Sequence, residues 1–187
     1  MSQEERVKWD RRYREGIAPA SPSSSLTGLE ALLPATGRAL DVGGGAGRHA
    51  LWLARRGLDV TVTDTSAVAL AIAVERAQAE GLSVHTELAD LESDPLPRGP
   101  WDMIVVFHFL LRPLFRVFPR ALAPRGVLVV VHPTRSNLVR HDTPGPAYLL
   151  EDGELPRLVT GLAVIHHDEG WGEEDRHEAR VIARRAP

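Results

Sequence analysis

The sequence predicts a doubly wound α/β fold with a mostly parallel sheet. Strand-like apolar runs alternate with helical patterns along most of the chain. The run at 38–42 opens directly into a glycine-rich turn at 43–47, where backbone N–H groups can approach a ligand closely. A second apolar run ends at Asp64, about twenty residues on, where folds of this class place an acid on ribose hydroxyls. This context favours a ligand cradle over a merely flexible turn.

Length and composition limit the classes of protein that fit. The 187 residues predict a single domain over 1–187. No apolar run reaches the length of a membrane span and the start is polar, so we expect a cytoplasmic protein without a membrane partner. The absence of cysteine excludes disulfides and thiolate zinc sites. A net charge of −3 without a basic run argues against a nucleic-acid partner, and the oligomeric state stays open.

The first third of the chain contains two predicted helices before the first strand. Residues 3–15 read as a helix with Trp9 and Tyr13 one turn apart, and the Pro- and Ser-rich stretch 16–25 reads as a linker. Leucines between 26 and 33 predict a short helix that packs on the sheet. We therefore divide the domain into an N-terminal helix and linker, 1–25, and the main fold.

The middle of the chain gives the next strands and helices. A helix is expected from Arg48 to Arg56, after the glycine turn. The second strand ends at Asp64, and Thr65 or Ser66 is suited to cap the helix that follows. A third strand, 83–89, leads into Asp90 and Leu91.

The sequence of the second half of the chain predicts four more strands. The fourth, 101–106, runs into Phe107 and His108, which should line the reaction chamber because ligands bind beyond the carboxyl ends of parallel strands. The helical pattern 110–123 should break near Pro119. The remaining elements are a fifth strand at 127–131, a loop at 132–146, a short helix at 153–159, and an antiparallel strand pair at 162–166 and 178–183.

The glycine spacing carries a family resemblance. The order Asp41-x-Gly43-x-Gly45-x-Gly47 resembles motif I of the class I S-adenosylmethionine (SAM) dependent methyltransferases. The dinucleotide fingerprint Gly-x-Gly-x-x-Gly does not fit, because its third glycine falls on Arg48. The element order is likewise similar to the seven-stranded, Rossmann-like sheet of that family, with its terminal antiparallel strand pair.

The resemblance implies SAM as cofactor and S-adenosylhomocysteine as product. It implies that the glycine turn passes the methionine part, that Asp41 helps to hold the amino group, and that Asp64 takes the ribose. It also implies that Asp90 and Leu91 meet the adenine and that the first helix folds over the cofactor and excludes water. The predicted cofactor-binding residues are Asp41, Gly43, Gly44, Gly45, Gly47, Asp64, Thr65, Asp90, Leu91, Phe107, Trp9 and Tyr13.

Other segments of the chain narrow the resemblance. The Trp9-x-x-x-Tyr13 start and the segment 153–155 look most like small methyltransferases of the tellurite-resistance type. The chain lacks the Asp/Asn-Pro-Pro-Tyr/Phe motif of enzymes that methylate base amino groups. It also has Phe107 and His108 where metal-dependent relatives place an acid. These departures favour a small-molecule substrate and no metal site.

Catalytic and substrate residues follow from chemistry at the strand ends. His108 and His132 are the candidate general bases for an amine or hydroxyl acceptor, unless each simply bonds a backbone group. Arg112, Arg135 and Arg140 fall on the predicted substrate side and would suit a carboxylate or oxyanion, although solvated surface arginines are the alternative.

Two other functions stay open from the sequence. A nicotinamide-dependent oxidoreductase could use Asp64 on its ribose, but the glycine spacing and the missing Tyr-x-x-x-Lys pair argue against it. A non-catalytic SAM-binding protein would keep the cradle without a productive chamber.

Overall fold

The computed structural model describes residues 3–16 and 19–187, and of residues 3–5 only the backbone. Within the predicted N-terminal helix and linker, positions 1–2 and 17–18 therefore lie outside the described residues. Among the helices that the structure describes, none has both the length and the apolar character needed to cross a bilayer. The strands are β1 (Arg38–Val42), β2 (Asp59–Asp64), β3 (His85–Leu88), β4 (Trp101–Phe107), β5 (Leu122–Pro133), β6 (Ala163–Trp171) and β7 (His177–Arg184). The α-helices are α1 (Gln3–Arg14), α2 (Ser24–Thr27), α3 (Arg48–Arg55), α4 (Ala67–Ala79), α5 (Phe118–Ala121) and α6 (Leu155–Leu158).

The strands form one seven-stranded sheet in the order β3-β2-β1-β4-β5-β7-β6. The first five in that order pair in parallel, and β7 runs antiparallel to both β5 and β6. This confirms the predicted fold class. The strand order reverses between β1 and β4, which is where open α/β sheets form a crevice for a ligand.

The sheet is buried on both faces. Alternate residues of the central strands belong to two separate apolar clusters, one on each side. Leu40 and Val42 of β1 face one cluster, whereas Ala39 faces the other. Parallel strands covered on both sides are expected to be apolar almost throughout, which explains why β1 and β4 read as continuous apolar runs.

Local sequence fixes the starts of the two long helices beside the crevice. Gly47 precedes α3 with a left-handed backbone (φ 77°), a conformation that glycine adopts without steric cost. Ser66 caps α4, because its hydroxyl oxygen accepts the N–H of Ala69 at 3.1 Å. Of the two predicted caps, Ser66 is therefore the one used.

Three elements differ from the sequence prediction. The helix predicted over 110–123 is divided into a 3₁₀ turn at Arg112–Arg116 and α5, since each proline fits only the first turn of its helix. The fifth strand begins at Leu122 instead of 127, with an irregular register against β4. The helix predicted over 26–33 becomes α2 and a 3₁₀ turn at Glu30–Leu32.

The terminal hairpin is longer than predicted. β6 runs to Trp171, which pairs with His177 at the start of β7. Much of β6 is exposed, so its sequence lacks a clear apolar alternation and only the pairing with β7 defines its length. The connection that follows is therefore the short segment 172–176.

Candidate active site

The glycine turn between β1 and α3 needs glycine for two reasons. Gly43, Gly45 and Gly47 all have positive φ values, of 64°, 56° and 77°. Gly44 has an ordinary backbone, but a Cβ atom there would lie 2.6 Å from Cγ of Asp41 and 2.8 Å from Cγ1 of Val62. The turn therefore packs directly on the buried ends of β1 and β2.

A cavity of about 350 Å³ lies beyond this turn, at the carboxyl ends of the parallel strands. Nine of the twelve predicted cofactor-binding residues line it; Asp41, Gly45 and Gly47 lie behind or beside its wall. The nine are Trp9, Tyr13, Gly43, Gly44, Asp64, Thr65, Asp90, Leu91 and Phe107. The structure thus brings the sequence-predicted set together around one space.

Asp41 is fully buried behind the glycine turn. Neither of its carboxylate oxygens has a hydrogen-bond partner at ordinary distance and angle within the part of the chain that the structure describes, and the backbone N–H of Ala50 gives only partial compensation. Burial raises the pKa of Asp41 to about 7, and the charge of Asp64 adds to this effect. A buried acid of this kind favours a cationic or hydrogen-bond-donating neighbour.

Asp64 closes the end of β2 and supports the turn. One of its oxygens accepts the N–H of Gly45 and the other accepts the N–H of Ser66, each at 2.9 Å. Burial raises its pKa, against the effect of these backbone hydrogen bonds. Each oxygen retains lone-pair capacity for a further donor, as the predicted ribose contact requires.

The first helix covers the cavity. The Tyr13 hydroxyl lies so close to Gly45 that a Cβ atom on that glycine would overlap it. Burial and the charge of Asp64 raise the pKa of Tyr13. The hydroxyl of Ser66 donates to Asp10 at 2.5 Å and so fastens α1 to the start of α4. Trp9 lines the cavity and remains 37% exposed, so it is not a buried core residue that only anchors the helix.

His108 follows β4 and lines the cavity with a left-handed backbone (φ 55°). Its Nε2 lies 2.6 Å from a carboxylate oxygen of Glu178 on β7, and Nη1 of Arg176 donates to its Nδ1 at 3.4 Å. Because an arginine can only donate, the neutral ring carries its proton on Nε2 and its lone pair on Nδ1. A non-glycine residue held at positive φ beside a cavity is typical of a functional position.

Glu178 is buried and has partners on both oxygens. The Ser25 hydroxyl donates to its second oxygen at 3.4 Å. Burial opposes its ionisation, but the hydrogen bond to His108 and the charges of His108, Arg176 and Arg180 outweigh this and lower its pKa. Glu178 is therefore a carboxylate that fixes the orientation of the His108 ring.

His132 occupies a different environment on β5. It does not line the cavity, and its Nε2 donates to the carbonyl of Tyr148 at 2.8 Å. Burial lowers its pKa to about 4. This placement matches the alternative in which a histidine at a strand end bonds a backbone group.

The three arginines predicted to bind substrate also lie outside the cavity lining. Each instead pairs with a nearby acid. The pairs are Arg112 with Glu154 at 2.6 Å, Arg135 with Glu151 at 2.7 Å, and Arg140 with Asp175 at 2.8 Å. They correspond to the solvated surface arginines that formed the alternative.

Sequence reasoning missed several residues around the cavity, and four of them matter for its chemistry. Arg48 and His49 follow the glycine turn directly, so their position along the chain could have indicated them. Arg176 and Glu178 gave no signal, because only the pairing of β7 with β5 and β6 brings them to the end of β4. Arg48 lies 3.9 Å from Glu174, another residue of the cavity wall.

A group that the sequence did not predict lies outside the cavity lining. Potential metal-ligating atoms of Asp152, Glu169 and His177 come within 4.8 Å of one another. Ser136 donates to Asp152, the N–H of Gly153 donates to Glu169, and Nδ1 of His177 lies 2.7 Å from the Thr134 hydroxyl. All three side chains therefore already have hydrogen-bond partners within the protein.

Comparison with known proteins bears on the domain and on the fold. Residues 39–126 match the family model described as a methyltransferase domain. No curated protein is similar enough in sequence to count as a relative.

Several solved structures share the fold. TehB from Haemophilus influenzae is 20% identical with a TM-score of 0.74, and the match covers 95% of this chain and 67% of that one. A TehB-like SAM-dependent methyltransferase from Corynebacterium glutamicum is 18% identical with a TM-score of 0.69, covering 98% and 100%. A SAM-dependent methyltransferase from Mesorhizobium loti is 23% identical with a TM-score of 0.69, covering 87% and 98%.

Residues 39–126 therefore match a methyltransferase domain, and the solved structures that share the fold include SAM-dependent methyltransferases. The residues around the cavity fit SAM as a cofactor. Buried polar atoms without partners in the described chain are concentrated here: both oxygens of Asp41, Nε2 of His49, and the hydroxyls of Thr63 and Thr65. Two buried acids with raised pKa values, Asp41 and Asp64, suit a ligand that carries a sulfonium and an amino group.

Proposed function

We propose that this methyltransferase acts on a small-molecule nucleophile, and that His108 is its general base. SAM, when bound, supplies an electrophilic methyl carbon. The observation that carries the proposal is the pairing of His108, a residue of the cavity wall, with Glu178 at 2.6 Å, because it occupies Nε2 and leaves Nδ1 beside Arg176, which also lines the cavity. This arrangement is the carboxylate-oriented imidazole that proton transfer requires.

Each residue then has a defined task in the cofactor half of the site. We propose that Asp41 holds the amino group, that Asp64 and Thr65 hold the ribose, and that Asp90 and Leu91 hold the adenine. The glycines of the turn leave room for the methionine part, Phe107 lines the chamber, and Trp9 and Tyr13 exclude water from above. Exclusion of water protects the methyl group and strengthens the nucleophile.

In the acceptor half, an anionic group of the acceptor would draw Arg176 away from Nδ1 of His108, 3.4 Å from its Nη1, and so free the lone pair of that nitrogen. Nδ1 would then take the proton of the nucleophile while the methyl group passes from sulfur to the nucleophile and S-adenosylhomocysteine leaves. The Nε2–H then remains hydrogen-bonded to Glu178, which stabilises the imidazolium. Arg176 is the residue that binds an anionic group of the acceptor. It takes the role that the sequence had suggested for Arg112, Arg135 and Arg140. Among the described residues it forms no ion pair with an acid within 4.0 Å, and it lines the cavity. His132 supports the strand end through Tyr148 and takes no proton.

The size of the cavity supports a small acceptor. A space of about 350 Å³ is at the low end for ligand sites, so little room remains beside the cofactor.

The proposal also places the protein in the cytoplasm, and fractionation of producing cells would test this.

The test is a turnover assay with SAM, in which released S-adenosylhomocysteine is measured. The acceptors are glycolate, lactate, glycerate, glycine, alanine, serine and thioglycolate, each beside its amide. We expect methylation of at least one acid, and a higher KM for its amide because Arg176 loses its anionic partner. Arg176→Gln should remove that difference.

Variants of the base test its role. His108→Asn should lower kcat by about a hundredfold to ten-thousandfold, the range of general-base catalysis, with unchanged affinity for S-adenosylhomocysteine. His167→Asn, at an exposed position of β6 and outside the cavity lining, is the matched control and should retain full turnover. Undiminished turnover in His108→Asn would remove His108 as the base. Tight product binding without turnover of any acceptor would instead favour a non-catalytic SAM-binding protein.

A further inference from the structure

His49 has a side chain that the proposed mechanism leaves unused. It is the second residue of α3, it is only 3% exposed, and it lines the cavity. Its ring packs on that of Phe107 with centroids 4.0 Å apart and an angle of 33°. The stacking fixes the ring in one orientation, so its nitrogens are held in place as well.

The Nε2 atom of His49 is buried and has no hydrogen-bond partner among the residues that the structure describes. Burial of a polar atom without a partner is unfavourable, and native proteins avoid it unless water or a ligand supplies the missing bond. The residue belongs to the wall of the cavity, so a molecule bound there lies beside the ring that carries this atom.

The position of His49 indicates which part of the bound molecules it meets. Phe107, on which it packs, directly precedes His108 at the end of β4. The proposed ribose and adenine residues, Asp64 and Asp90, lie at the ends of other strands. His49 lies between the glycine turn and His108, close enough to His108 for the charge of that residue to affect it, so it borders the place where the methyl acceptor is proposed to lie.

The charges around His49 also separate it from His108. Burial, followed by the charges of Arg48 and His108, lowers the pKa of His49 well below its ordinary range. In the described chain no carboxylate is placed against it as Glu178 is placed against His108. His49 thus stays neutral, which suits a residue beside a sulfonium, and it forms hydrogen bonds without taking up a proton.

We infer that His49 is a specificity residue whose Nε2 forms a hydrogen bond to a second polar group of the methyl acceptor. This inference rests on the proposed function and defines the acceptor further. The acceptor carries a protic nucleophile for His108 and, beside it, an uncharged hydrogen-bonding group such as a hydroxyl. A site built for such a group discriminates strongly against the analogue that lacks it, because the buried nitrogen is then left unpaired.

The experiment compares acceptor pairs that differ by one hydroxyl, serine with alanine and glycerate with lactate. In the wild-type enzyme we expect a KM at least tenfold lower for the hydroxylated member of a methylated pair. His49→Phe keeps the ring packed on Phe107 but removes both nitrogens, and it should abolish the preference. His49→Gln places an amide near the position of Nε2 and should restore most of it, whereas His49→Asn, whose amide is nearer the backbone, should not.

The affinity for S-adenosylhomocysteine, measured by calorimetry, separates the acceptor from the cofactor. We expect it to stay within twofold in all three variants and in His85→Phe, an exposed control on β3. A parallel loss of product affinity would overturn the inference by assigning His49 to the cofactor, and an unchanged hydroxyl preference in His49→Phe would overturn it by showing a packing role. Failure of the wild-type enzyme to methylate any acceptor would instead overturn the proposed function and this inference with it.

Discussion

The cavity has two regions that are built in different ways. The proposed cofactor region consists of Asp41, the glycine turn 43–47, Asp64 and the pair 90–91, which lie at or just after the ends of the first three strands. The proposed acceptor region consists of His49, His108, Arg176 and Glu178, and its central hydrogen bond joins residues 70 positions apart. A motif of local spacing can therefore reveal the first region, whereas the partners of His108 in the second region come together only in the folded sheet.

The two regions also use different chemistry. In the cofactor region, the glycines leave space because they have no Cβ atom, and burial raises the pKa values of Asp41 and Asp64. In the acceptor region, cationic groups lower the pKa of the buried Glu178. The first region is thus suited to a cationic, hydroxyl-rich ligand, and the second to an anion and a proton. This difference predicts that substitutions in the two regions change separate measurements.

The largest expected effect on the cofactor region comes from Gly44→Ala. The added Cβ would overlap the carboxyl of Asp41 and the Val62 side chain, which are both buried. We expect the affinity for S-adenosylhomocysteine to fall at least about a hundredfold, and the free energy of unfolding to fall by about 1–3 kcal/mol from overpacking. Calorimetric titration and denaturant unfolding measure the two quantities.

Gly145→Ala is the matched control, because a Cβ there would contact nothing within 4 Å. It should leave both quantities unchanged. Normal product affinity in Gly44→Ala would show that the turn can move away from β1 without loss, and would weaken the distinction between the two regions.

The next effect concerns the acid at the end of β2. Asp64→Ala should weaken binding of S-adenosylhomocysteine about tenfold to a hundredfold, since a hydrogen bond to a charged group contributes about 1.5–3 kcal/mol. Asp59→Ala, at the exposed start of the same strand, removes a pair with His85 and should have little effect. Titration with NADH serves as the negative ligand, and saturable NADH binding that Asp64→Ala weakens would argue for a nicotinamide site.

The smallest expected effect is a change in the pH dependence of stability through Asp41. The folded state holds its proton up to the raised pKa of about 7, whereas the unfolded chain loses it near the ordinary value of 3.8. The folded state therefore binds more protons between these values, and the free energy of unfolding falls as pH rises through that window. The raised pKa of Asp64 adds a slope of the same sign.

Asp41→Asn should reduce the dependence of the free energy of unfolding on pH. It should also raise the Tm of the ligand-free protein at pH 8 by a few degrees, since each kcal/mol of unfolding free energy shifts the Tm by about 2–4 °C in a chain of this size. The same substitution should weaken product binding, because the amino group loses its anionic partner. Asp59→Asn controls for the loss of an acid at an exposed position. An unchanged pH slope in Asp41→Asn would show that this acid is ionised in the ligand-free fold.

The histidines show where reasoning from sequence ends. His108 and His132 follow neighbouring strands and had equal standing as candidate bases. In the folded chain one meets the carboxylate of Glu178 and the other the carbonyl of Tyr148. Glu178 lies on β7, and Tyr148 lies in the segment between β5 and α6. The sequence around each histidine gives no indication of these distant partners.

The sequence by itself predicted the doubly wound fold and the acid at the end of β2, because apolar periodicity is a local property of the chain. The resemblance of the glycine turn to motif I of the methyltransferases implied the cofactor. The tertiary structure decided the rest of the site. Antiparallel pairing of β7 with β5 and β6 carries Arg176 and Glu178 to His108, while Arg112, Arg135 and Arg140 pair with surface acids. Contacts between distant segments depend on the register and packing of the whole sheet, which no local pattern specifies.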